Sequence, residues 1–183
     1  MSTQSIHLVG AGGAGMSALG LLALRKGWAV SGTDREDGPA LVALRAAGAD
    51  VHVGHSADAI PAKVDVVVLS TAIPATNPEV VAAGERGLAV IHRSDLLAML
   101  MDGYRGLAVA GAHGKSTTTA MLSLALGGAT LCVGAEVPWG DGTGAAWGDG
   151  PWFCAEADES DRSLLRLPAE AAILLNVDHD HHS

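Results

Sequence analysis

Aromatic side chains make up only 3% of this 183-residue sequence: four Trp, one Tyr and one Phe. A core must therefore rest on Ala, Val and Leu, as helix-covered parallel sheets often do. Cysteine is as scarce. Cys132 and Cys154 have neither metal-ligand spacing nor enough company for a disulfide framework, which suits a reducing compartment. Basic residues are in deficit, 11 Lys and Arg against 20 Asp and Glu, for a net charge of −9. Such a field argues against nucleic acid as a partner, and any phosphate must be held by local donors. No apolar run reaches membrane-spanning length, and Met1–Gln4 lacks the basic start of a signal peptide. A cytoplasmic protein without membrane contact is expected.

Glycine, by contrast, is plentiful, and two glycine loops organise the chain. The second is the more specific. Gly111-Ala112-His113-Gly114-Lys115-Ser116-Thr117-Thr118-Thr119 follows the apolar run Leu107–Ala110 and precedes the helical run Ala120–Leu126. Strand, glycine loop, Lys-Ser/Thr and helix is the order of a phosphate-binding loop. Backbone N–H groups turn inward around an anion, and the helix N-terminus adds partial positive charge. Lys115 would reach the outer phosphates and Ser116 would sit on a bound Mg²⁺. Val109 stands where the common eight-residue form has its first glycine, so this is a shorter G-x-x-G-K-S-T-T version. The segment reads as a nucleoside-triphosphate site.

The first loop, Gly10-Ala11-Gly12-Gly13-Ala14-Gly15, follows the strand Ile6–Val9 and opens a helix from Met16 to Lys26 that ends at Gly27. Gly10, Gly12 and Gly15 fit G-x-G-x-x-G. Asp34, about twenty residues on at the end of a second strand, is where a Rossmann domain places an acid on a ribose hydroxyl. Further alternation follows: a helix from Pro39, a strand at Asp50–Val53, and a fully buried strand at Val64–Leu69. A helix capped by Asn77 with Pro78 at its first position comes next, then a strand at Ala89–Ile91 and a helix capped by Ser94. The expected ligand site gathers Gly10–Gly15, Asp34 and Ser70–Ile73 at the strand ends. His52 and His55 read as surface residues, since no carboxylate or cysteine pattern accompanies them.

Past a joint at Asp102–Gly106 the second unit contains Thr130–Val133 and Trp152–Ala155 as strands. Gly134–Gly150 suits either a mobile loop or a hairpin. Glu156-Ala157-Asp158-Glu159-Ser160-Asp161 offers hard oxygen ligands for a divalent cation beside the phosphate loop. Ala171–Leu175 reads as a buried strand leading to Asn176-Val177-Asp178-His179-Asp180-His181, a strand-end active-site loop. So few strands make an incomplete nucleotide-binding domain, and a longer parent protein is expected.

In these motifs the sequence resembles the Mur ligases. The carriers are Gly10–Ser17, Ser70-Thr71-Ala72-Ile73 with Asn77-Pro78-Glu79, Gly111–Thr119, Glu156–Asp161 and Asn176–His181, in family order over nearly the whole chain. Ala112 and Ser116 stand where the family usually has Thr, and Asp178 where it usually has Glu. The resemblance implies an α/β fold: a Rossmann-like doubly wound parallel sheet over 1–103, then the front part of a P-loop ATPase domain over 104–183. It implies ATP and Mg²⁺ as cofactors, UDP-N-acetylmuramate and L-alanine as substrates, and amide ligation through an acyl phosphate in peptidoglycan synthesis. The remainder of the central domain and a C-terminal domain are expected as missing partners, without which the piece binds UDP-sugar but ligates nothing.

By motif position Lys115, Glu156 and His181 would be catalytic, and Ser116, Glu156 and His181 would hold metal. Gly111, His113, Gly114, Lys115, Ser116, Thr117 and Asn176 would hold the nucleotide. Gly10, Gly12, Gly13, Gly15, Asp34, Ser70, Thr71 and Ala72 would hold the UDP-sugar. Gly-Gly-Ala-Gly-Met-Ser at 12–17 favours the alanine-adding member over the ligase that attaches recycled murein peptide to the same sugar. A nicotinamide-dependent oxidoreductase is the rival from another class, and a non-catalytic ATP-sensing module is a further one. The oxidoreductase leaves the second loop unexplained.

Overall fold

A computed structural model describes residues 4–139, 143–157 and 165–177. Its first half comprises β1 (Ser5–Val9), α1 (Ala14–Arg25), β2 (Ala29–Asp34), α2 (Pro39–Ala46), β3 (Asp50–Val53), β4 (Val66–Leu69), α3 (Pro78–Glu85), β5 (Ala89–His92) and α4 (Arg93–Met101). The five strands form one parallel sheet in the order β3-β2-β1-β4-β5. Alternation from residue to residue along each strand sorts the side chains. Ile6, Leu8 and Val68 join the buried faces of α1, α2 and α4, whereas Val9 and Val67 turn the other way to meet Ala82 and Ala83 of α3. Helices thus cover both faces, as expected of a doubly wound domain.

The second half holds β6 (Arg105–Ala110), α5 (Lys115–Ala125), β7 (Thr130–Cys132), β8 (Ala145–Ala146), β9 (Trp152–Glu156) and β10 (Ala169–Leu174). Its sheet runs β10-β6-β9-β7-β8, with only β8 antiparallel. Cys154 and Leu131 face α5, while Phe153, Ala155 and Cys132 point to the other side and merge with the core around α1 and α4. Tyr104, between α4 and β6, packs edge-on against Phe153 with ring centroids 5.6 Å apart. Lys26 reinforces this seam, donating from Nζ to the Met99, Leu100 and Asp102 carbonyls at the end of α4.

Several expectations need correction. The cap of α4 is His92, not Ser94. The His92 ring accepts from the Ser94 N–H, and Asp95 returns a bond to the His92 N–H at 3.0 Å, a reciprocal capping box. Ser94 lies one residue inside. β10 is not buried: every residue is exposed, because it forms the sheet edge, pairs only with β6, and has no covering element among the described residues. Only the middle of β4 is fully buried. The open choice over Gly134–Gly150 resolves towards a hairpin, since β8 pairs antiparallel with β7.

Candidate functional site

Each parallel strand of the first sheet releases a polar or glycine residue at its carboxyl end. Gly10 follows β1, Asp34 closes β2, His55 comes two residues after β3, Ser70 follows β4 and Arg93 follows β5. These five meet in one cleft of about 460 Å³, together with Gly13, Gly15, Ala72, Arg35 and Asn77. Gly12 and Thr71 stay outside its lining. The Gly12 N–H instead donates to Asp34 Oδ2 at 2.8 Å. A Cβ on Gly12 would stand 2.9 Å from that oxygen and 3.0 Å from Leu41 Cδ1, so only glycine lets the loop lie against β2.

The expected surface histidines separate. His52 is exposed and pairs with Asp50 at 2.9 Å. His55 is not a surface residue: its side chain is only 14% exposed, with Nδ1 2.7 Å from Glu79 Oε1. Glu79 sits in the first turn of α3 and is fully buried, taking further bonds from His7 and Thr33. Nothing in the local pattern announced this cluster. The Asn-Pro-Glu string reads as a helix start, which says nothing of where its acid points.

The second sheet repeats the design. Gly111 follows β6, Gly134 comes two residues after β7, Glu156 ends β9 and Asn176 comes two residues after β10. Gly114 is left-handed (φ +84°) and forms the N-cap of α5, so the helix begins at Lys115 itself. Lys115 Nζ donates to the Gly111 carbonyl at 2.7 Å, arching over the loop. Asn176 clasps that loop at both ends of its amide: Oδ1 accepts from the His113 N–H and Nδ2 donates to the His113 carbonyl, each at 3.0 Å. Thr117 is exposed on the first turn of α5. Ser116 Oγ donates to Glu156 Oε2 at 2.6 Å, and the Gly134 N–H approaches the same oxygen at 3.3 Å.

Two hard oxygen ligands, Ser116 and Glu156, therefore stand together where the loop opens, and the donor set fits Mg²⁺. His181, expected as a further ligand, lies outside the described residues, as do Asp158, Glu159, Asp161 and Asp178. Among the described residues no three His, Cys, Asp or Glu converge on a metal position.

A second cleft of about 290 Å³ joins the halves. Gly15, Leu19, Arg93, Ser94 and Leu97 line one side and Cys132, Val133, Gly134 and Glu156 the other. Gly15 and Arg93 line both clefts, so the two adjoin, and the second reaches Glu156, the partner of Ser116. Arg93 carried no signal in the sequence, where it stood just ahead of the expected Ser94 cap.

Comparison with known proteins gives the family of this fold. The Mur ligase family, catalytic domain, matches residues 5–105. A UDP-N-acetylmuramate–L-alanine ligase of Streptomyces griseus is 48% identical, covering 97% of this chain and 39% of that protein. The chain thus spans about two fifths of the length of such relatives. The crystal structure of UDP-N-acetylmuramate-alanine ligase MurC from Thermotoga maritima superposes with a TM-score of 0.87 at 31% identity, over 97% of this chain and 42% of that one. The UDP-N-acetylmuramate:L-alanyl-gamma-D-glutamyl-meso-diaminopimelate ligase of Neisseria meningitides gives 0.84 at 29% identity, over 98% and 62%. With more than half of its residues matched by the family and its whole described fold shared with family structures, this chain belongs to the Mur ligase family.

Proposed function

We propose that this chain is the front part of an ATP-dependent ligase that joins L-alanine to UDP-N-acetylmuramate. In this reading residues 1–103 form the UDP-sugar domain and 104–183 the front of the ATP domain. The observation that supports it most is that the cleft at the Gly10–Gly15 loop adjoins, at Gly15 and Arg93, a second cleft that reaches Glu156 beside Ser116. A nucleotide sugar whose diphosphate lies at the N-terminus of α1 would extend its far, carboxylate-bearing end towards the second loop. A nicotinamide cofactor in the first cleft would leave that loop without a task.

The muramoyl carboxylate oxygen attacks the γ-phosphorus of ATP, the bond to the bridging oxygen breaks, and ADP departs, leaving an acyl phosphate. The amine of L-alanine then attacks the acyl carbon, expels inorganic phosphate and loses its proton to solvent. A carboxylate is a weak nucleophile, so the protein's task is positioning and charge neutralisation. Lys115 would leave the Gly111 carbonyl for the outer phosphates. The other backbone N–H groups of Gly111–Thr117 would cradle the triphosphate, and His113, whose N–H is held by Asn176, would order the loop. Ser116 and Glu156, with His181, would hold Mg²⁺, which supplies positive charge against the transferring phosphoryl group when bound. Gly10, Gly13, Gly15, Ser70 and Ala72 would face the UDP-sugar, with Gly12 and Asp34 fixing the loop.

Calorimetric titration of this chain with UDP-N-acetylmuramate, repeated with NADH, tests the first cleft. Saturable binding of the sugar nucleotide alone is expected; NADH binding without it would overturn the reading. In the full-length protein, phosphate release should require UDP-N-acetylmuramate and L-alanine together. Release driven by a murein tripeptide in place of L-alanine would move the assignment to the peptide-adding ligase.

A further inference from the structure

The buried cluster beneath the first cleft has no part in the scheme above. Glu79 Oε2 accepts from His7 Nε2 at 2.8 Å, and Oε1 accepts from Thr33 Oγ1 and from His55 Nδ1, each at 2.7 Å. His7 is held from behind by Ser31 Oγ, 2.9 Å from Nδ1. Burial pushes the Glu79 carboxyl up, but the hydrogen bonds from His7, Thr33 and His55, with the charge of His7, outweigh it and hold the group below the ordinary carboxylate range. Glu79 is therefore ionised at neutral pH.

An ionised carboxylate only accepts, so the proton between Glu79 and His55 resides on Nδ1. In a neutral imidazole the other nitrogen is then an acceptor. That nitrogen, Nε2, has no hydrogen-bond partner among the described residues, and the ring carrying it lines the first cleft. Asp34, the other acceptor at this end of the cleft, already commits Oδ2 to the Gly12 N–H. With the His55 ring neutral, the cleft contains a fixed acceptor beside Arg35 and Asn77, at the carboxyl edge of β2 and β3.

We infer that His55 is a ligand-binding residue whose Nε2 accepts a hydrogen bond from a neutral donor of the bound nucleoside, a ribose hydroxyl or the imide N–H of the base, with Glu79 as the positioning residue that fixes the ring tautomer. The inference rests on the nucleotide-sugar reading of this cleft.

Nitrogen–proton NMR of the wild-type ring at neutral pH decides the tautomer without any substitution. A protonated Nδ1 and a bare Nε2 that shifts on saturation with UDP are expected. A protonated Nε2 in the complex overturns the inference. Titrations of wild type, His55→Phe, His55→Gln and Glu79→Gln with UDP, 2′-deoxy-UDP and N3-methyl-UDP then locate the donor. His55→Phe should weaken UDP roughly 3- to 10-fold, the range of one neutral hydrogen bond.

The analogue lacking the matched donor should lose the same factor against wild type and nothing more against His55→Phe, which separates ribose from base. His55→Gln, whose amide oxygen can occupy the Nε2 position, should recover most of the loss. Glu79→Gln should weaken UDP without weakening that analogue. Equal losses for all three ligands would mean a purely structural role and overturn the inference alone. Failure of wild type to bind UDP would overturn the nucleotide-sugar reading, and the inference with it. If His55→Phe does not fold, the ring spectrum and the wild-type analogue titrations carry the decision.

Discussion

At the scale of single residues, the two glycine loops are constrained for different reasons, and each gives a measurable outcome. Gly12 has no room for a side chain against Asp34 and Leu41. Gly12→Val should cost about 1–3 kcal/mol of stability by overpacking and lower UDP-N-acetylmuramate affinity at least ~10-fold, read by calorimetry. In the proposed ligase Lys115 has a chemical task, so Lys115→Ala in the full-length protein should abolish phosphate release while sugar-nucleotide binding survives. Glu79 acts through its charge. Its folded value is depressed, so its stabilisation is complete above the unfolded value, about 4.3, and is lost as pH falls through the lower folded value. Urea unfolding between pH 3 and 7 should show stability declining through that acid window, and a flatter limb for Glu79→Gln.

The two cysteines are the reverse case. Burial, helped by the Glu156 charge, pushes the Cys132 thiol up to about 12, and burial pushes Cys154 up to about 11. Neither should react with a thiol reagent at neutral pH until the chain unfolds. Residue types in the loops were readable from spacing, because glycine and Lys-Ser/Thr have few other uses in that order. The pairing of His55 with Glu79 was not, since a lone histidine and a first-turn acid each have an ordinary surface explanation.

At the scale of elements, local rules and sheet position compete. Asn77 accepts from the Glu79 N–H at 2.8 Å and places Pro78 at the first helical position, so α3 begins where capping rules put it. Asn77→Ala should cost about 1 kcal/mol in chemical denaturation. The start of α4 was misplaced because histidine is an uncommon cap, and Ser94 looked the better candidate. Only the observed return bond from Asp95 identifies His92. Ala171–Leu174 have the composition of a central strand, and among the described residues only β6 pairs with them, which leaves them exposed. The Arg105–Glu170 bidentate pair across β6 and β10 is half exposed at each partner, so its contribution to holding that edge should be small and salt-sensitive.

At the scale of the whole molecule, the two sheets share a core. Phe153, Ala155 and Cys132 of the second sheet join the cluster that contains Leu8, Leu22, Leu96 and Leu100 of the first. Phe153→Ala should therefore destabilise both halves together, by about 3–5 kcal/mol, and wild type should unfold in a single calorimetric transition. Two resolved transitions would show that the halves fold separately. What the sequence determined by itself was the order of elements, the two glycine loops and the family they indicate, because periodicity, caps and turn glycines act over a few residues. Tertiary structure alone decided which distant groups meet. Ser116 reaches Glu156, 40 positions on, because β9 lies beside β6. Arg93 bridges two clefts because α4 packs at the seam between sheets. His55 faces the first cleft because a carboxylate buried on α3 holds its other edge. Such meetings depend on strand order and helix packing, and no local pattern encodes them.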